Sequence, residues 1–121
     1  MSQLQAFLLT LGLELGLAAA CWAVAPVRRA LGLDARLGRT AIAVLAVSCV
    51  THPFAWWANT VGASYGFVDF GPRAALIESA VIIVEGLLLA YALPAPLVRA
   101  QAFSAVLNLG SFGLGLVIAA L

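Results

Sequence analysis

The chain contains no lysine, one histidine and two cysteines, and only 9% of its 121 residues carry charge. Each scarcity rules something out. A net charge of +1 spread this thinly forms no basic patch, so nucleic acid is excluded as a partner, and so is the charged surface of a soluble globular domain. Cys21 and Cys49 lack C-x-x-C spacing and fall in apolar runs; they read as buried thiols rather than a disulfide or a redox pair. The opening MSQLQ has no basic stretch, and the apolar run after it is long and holds Glu14. No cleavable signal peptide is expected there, and the run should remain in the mature protein. Tandem repeats, low-complexity tracts and linkers are missing too, which leaves one domain over residues 1–121.

What abounds is apolar: 64% of the residues are hydrophobic, and the mean hydropathy is +1.11. Four nearly uncharged runs, at about residues 4–25, 40–61, 74–93 and 97–120, each match the roughly 20 residues that cross a bilayer. The sequence therefore predicts an all-α integral membrane protein, a left-handed bundle of four transmembrane helices with lipid as its main partner. Arginines orient it. Arg28, Arg29, Arg36 and Arg39 lie between the first two runs and Arg99 opens the fourth, whereas Arg73 stands alone between the second and third. The positive-inside rule then places both termini on the outer, periplasmic side of a bacterial inner membrane. Trp22 near the inner interface and Trp56, Trp57, Tyr65, Phe67 and Phe70 near the outer one fit that orientation. The LPAP turn at 93–96 is so short that the third and fourth helices must be antiparallel neighbours. Gly32 and Gly38 interrupt the arginine-rich connection and leave room for no more than a short amphipathic piece.

On helices at about 100° per residue, the polar side chains of each run share a face. In the first they are Gln3, Thr10, Glu14 and Cys21, in the second Ser48, His52 and Asn59, and in the third Glu78 and Glu85. In the fourth, Gln101, Ser104, Asn108, Ser111 and Gly115 alternate in steps of three and four. Such spacing keeps one face toward the same neighbour when helices cross at about 20°, so a polar bundle interior is expected. Glu14, His52, Glu85 and Asn108 each fall near the middle of their run and form a central station. Asn59 and Glu78, about 10 Å farther out, form an outer one. Ser48, Ser104, Gln101 and Cys21 continue the stripe inward. Pro53 removes a backbone N–H beside His52 and should bend the second helix there, opening space next to the histidine.

Three acids in the membrane lack lysine or arginine at their own depth, and one protonated histidine balances only one of them. A charge at the bilayer centre costs on the order of 3 kcal/mol. The remaining acids must carry protons or share a cation. A divalent metal such as zinc, manganese or iron, held by His52, Glu14 and Glu85, is one cofactor this chemistry allows, although no H-x-x-x-H or E-x-x-H spacing marks it. Gly12 and Gly16 form a G-x-x-x-G on the side of the first helix away from Glu14, which points to a homodimer through that face.

Three functions follow as expectations. The leading one is binding and moving a cation, either a proton or a divalent metal, through Glu14, His52, Glu85, Asn108, Glu78 and Asn59. The second is an intramembrane hydrolase or transferase acting on lipid or a membrane peptide. In it Glu14, Glu85 or a metal on His52 activates water, and Asn108 or Ser111 stabilises an oxyanion. The third is an accessory subunit of a larger membrane complex. Glu14 in the first of four short helices faintly resembles the small multidrug resistance transporters. The likeness is one residue deep, and no family is claimed on it.

Overall fold

A computed structural model describes residues 2–66 and 69–121, all helical apart from short connections. Phe67, expected among the interfacial rings, lies outside the described residues. Among the described residues, four helices are long and apolar enough to span a membrane: α1 (Gln3–Ala23), α3 (Leu37–Tyr65), α4 (Phe70–Ala92) and α5 (Leu97–Ala119). They confirm the four expected spans, and α3 outruns its apolar core at both ends. Between α1 and α3 lies the short α2 (Ala25–Leu31), the brief piece that the glycines allowed.

Local chemistry sets these boundaries. Ser2 and Gln5 form a reciprocal capping box at the start of α1: the Gln5 N–H donates to Ser2 Oγ at 3.2 Å, and the Ser2 N–H donates to Gln5 Oε1 at 2.8 Å. Pro26, near the first position of α2, has no N–H to offer the preceding turn; the chain breaks at Val24 and restarts. Gly32 ends α2 in the left-handed region at φ 68°, which a residue with a Cβ adopts only under strain. Pro53 lies inside α3 without interrupting it.

The spans form a ring. α1 packs on α3 and α5, α4 packs on α3 and α5, and the diagonal pairs α1–α4 and α3–α5 do not meet. Four spans in series bring both termini to one end, called here the terminal end; the opposite, arginine end carries α2 and the 93–96 turn.

Every buried described residue of the spans lies at or toward the arginine end from a line through Glu14, Thr51, Val81 and Ser111. Ala18, Leu33, Val44, Leu89, Phe103 and Leu107 close that half, each at most 2% exposed. Arginines seal its rim. Arg39 Nη2 donates to the Ala92 carbonyl at the C-terminus of α4 (3.2 Å), and the Arg28 guanidinium sits 4.9 Å over the Trp22 ring. The Trp22 indole N–H donates to the Ala35 carbonyl at 3.0 Å. On the outside, Ile42, Val50, Phe54, Leu76, Tyr91 and Val98 are exposed, as an apolar bundle facing lipid requires.

The cysteines differ from expectation in one respect. Cys21 is buried, but Cys49 is exposed, because position 49 falls off the face of α3 that carries Val44, Val47, Ser48 and Thr51.

Candidate functional site

At the line between the two halves, polar side chains from all four spans meet. Two of them are carboxyls. Glu85 on α4 is 2% exposed and both of its oxygens are engaged: Thr51 Oγ1 on α3 lies 2.5 Å from Oε1, and Asn108 Nδ2 on α5 donates to Oε2 at 2.6 Å. Asn108 is held by its own helix, since Nδ2 also donates to the Ser104 carbonyl at 3.0 Å. Glu14 on α1 is fully buried, with Ser48 Oγ on α3 at 2.5 Å from Oε2. Its other oxygen, Oε1, is buried without a hydrogen-bond partner among the described residues. Ser111 on α5 is the second hydroxyl near Glu14, although its Oγ donates to the Asn108 carbonyl at 3.1 Å.

One helix thus serves both acids. Ser48 and Thr51 are three residues apart on α3, hence about 4.5 Å along its axis, and they reach α1 on one side and α4 on the other. The diagonal helices α1 and α4 are not packed against each other, and their carboxyls bond to separate hydroxyls one helical turn apart on α3.

A seam toward the arginine end continues the network between α4 and α5. Ser104 Oγ donates to the Ile82 carbonyl at 2.9 Å, and Gln101 Nε2 donates to the Ile83 carbonyl at 3.0 Å. Gly86 makes the close approach feasible, because a Cβ there would run into the Gln101 amide. Deeper still, Thr40 is fully buried and its hydroxyl has no partner among the described residues.

One expected member of the central station lies elsewhere. His52 turns away from the carboxyls and packs at a 49° tilt on Phe7 of α1, with 5.3 Å between ring centroids. It lines a groove of about 540 Å³ between the terminal ends of α1 and α3, together with Cys49, Pro53 and Trp56. A second groove, of about 330 Å³, flanks the other side of α3, with Thr51, Phe54, Ala58, Ile77 and Val81 on its walls. The outer station is also rearranged. Asn59 accepts from Arg73 Nε at 3.0 Å, so the arginine expected at the border reaches into the span, while Glu78 is half-buried one level farther in. Among the described residues no three His, Cys, Asp or Glu side chains gather to hold a metal ion. The expected trio of His52, Glu14 and Glu85 is therefore not assembled.

Gly12 and Gly16 lie on the open surface of α1, where an added Cβ would meet nothing within 4 Å. The pair does no packing work inside the chain. Thr51, Thr40 and Arg73 were not among the site residues that the sequence suggested. For Thr51 a signal was present, since it continues the 40, 44, 47 alternation of four and three along α3.

The chain matches no family model, no curated protein and no solved structure. Its class rests on the fold and the site alone: a four-span helical membrane protein with carboxyls buried at the centre of the bundle.

Proposed function

We propose that this protein binds a cation at the Glu14–Glu85 network and moves it across a bacterial inner membrane. The observation that carries the reading is two buried carboxyls, on opposite helices of the ring, with no buried lysine or arginine among the described residues to neutralise them. Helices that needed only polar glue would use serine or asparagine, which cross-link spans without the insertion cost of a carboxyl. By the positive-inside rule the arginine end faces the cytoplasm, so the looser terminal half opens outward. Glu78, Asn59 and Arg73 then line the approach, and the packed core below Glu14 is the barrier that transport must relax.

Hydrolysis is less well served. Asn108 spends its amide hydrogens on Glu85 and on the Ser104 carbonyl, and Ser111 donates to a backbone carbonyl, so neither is poised for an oxyanion. We also propose a homodimer through the open Gly12/Gly16 face of α1, where close helix approach is sterically free. Replacing both glycines by isoleucine should lower the mass of the detergent-solubilised particle; unchanged mass would remove the dimer.

Reconstituted into proteoliposomes with an imposed membrane potential, the wild-type protein should carry a cation current. Glu85→Gln should abolish it while the helical content survives. Undiminished current in that variant would refute the proposal.

A further inference from the structure

We infer that the cation held at this site is the proton itself, stored on Glu14 and Glu85 as neutral carboxyls that donate to Ser48 and Thr51; this rests on the cation-binding function proposed above and names its substrate. The case is a count of hydrogens. A hydroxyl has one. Ser48 Oγ nevertheless lies within bonding distance of two acceptors, Glu14 Oε2 at 2.5 Å and the Val44 carbonyl at 2.9 Å. Thr51 Oγ1 is placed the same way, 2.5 Å from Glu85 Oε1 and 3.1 Å from the Val47 carbonyl. When the acid is ionised, the hydroxyl gives its hydrogen to the carboxylate. When the acid is protonated, its own O–H donates to the hydroxyl oxygen, and the hydroxyl hydrogen turns to the backbone carbonyl one turn back. One O–H bond is gained on the carboxyl, one hydroxyl rotates, and no heavy atom moves.

Both protonation states are thus satisfied by the same geometry, and both acids have the device. A divalent cation has no comparable seat. Both Glu85 oxygens already have hydrogen-bond partners, the Asn108 amide presents N–H to the carboxyl, and His52 is turned onto Phe7. The charged and titratable groups around the pair are few. Among the described residues, α4 offers Glu78, α3 offers Ser48 and Thr51 on the facing side, and α5 offers Asn108 and Ser111, neither of them charged. Glu14 Oε1, buried and without a hydrogen-bond partner among the described residues, is the oxygen left open to a further proton or water.

Infrared difference spectroscopy of the full-length protein in lipid at neutral pH tests this directly, because protonated carboxyls have a carbonyl band that carboxylates lack. The expected result is two such bands, one lost in Glu14→Gln and one in Glu85→Gln, with the Glu85 band shifted in Thr51→Val and the Glu14 band in Ser48→Ala. If either glutamine variant does not fold, the wild-type spectrum and the two hydroxyl variants decide the matter alone. Only carboxylate bands at neutral pH, or bands that Ser48→Ala and Thr51→Val leave in place, would overturn the inference. Current measured in the same proteoliposomes separates it from the transport reading. Neutral bands without any current remove transport and leave proton storage standing, whereas a zinc or manganese current with carboxylate bands keeps transport and rejects the proton.

Discussion

The two halves of the bundle are both rich in apolar residues but differ in packing. At the arginine end, Leu33 from the connection and Phe103 from α5 fill the space between the spans, and the arginines bind back onto helix termini and rings. At the terminal end none of the described residues 3–13 of α1, 52–65 of α3, 70–80 of α4 or 112–119 of α5 is buried, and grooves run along both sides of α3. Pro53 marks the changeover on α3, and the carboxyl network lies on the boundary. The carboxyl network therefore has a tightly packed wall on one side and a loosely packed half on the other.

Matched substitutions in the two halves test that contrast. The largest difference is expected for phenylalanine. Phe103→Ala empties a fully packed position and should cost about 3 kcal/mol, the low end for such a truncation because lipid, not water, surrounds the bundle. Phe54→Ala, on a side chain 69% exposed, should change stability by less than about 0.5 kcal/mol. Thermal unfolding of both in one detergent measures the gap, and equal losses would erase the distinction between the halves. For threonine the contrast is smaller. Thr51→Val strips a buried carboxyl of one partner and should cost about 1–3 kcal/mol, whereas Thr60→Val loses only an exposed bond to the Trp56 carbonyl and should be nearly silent. Glycine gives the smallest step. Gly86→Ala drives a methyl into the Gln101 amide and should cost about 1 kcal/mol through the displaced bond to Ile83, while Gly12→Ala has nothing to strike within its own chain. A destabilised Gly12→Ala would instead locate a contact on that face, as the dimer requires.

Hydropathy made the four spans legible, and the two arginine-flanked connections made their order plain. Glu14, Glu85, Asn108, Ser48 and Ser111 were also legible, because heptad spacing put each on the face that the ring turns inward. His52 was misplaced for a reason the structure makes clear. Seven residues before it stands Leu45, which is 40% exposed, so a heptad count from burial puts His52 on the outward-leaning side of α3. Polarity alone had assigned it to the stripe, although Thr51, in register with buried Val44, was the better candidate. Arg73 was missed because hydropathy places it at the border, while its long side chain reaches Asn59 in the preceding helix. Thr40 was passed over as the first residue of an apolar run. Only the packed structure reveals that it is fully buried, with a hydroxyl that has no partner among the described residues.

The most direct test of cation movement through the carboxyl network is the potential-driven acidification of proteoliposomes carrying wild type, Glu85→Gln or His52→Phe. The account predicts acidification by wild type and by His52→Phe, whose ring substitute keeps the contact with Phe7, and none by Glu85→Gln. Acidification that survives Glu85→Gln and disappears with His52→Phe would contradict it, and would move the pathway from the bundle interior to the groove between α1 and α3.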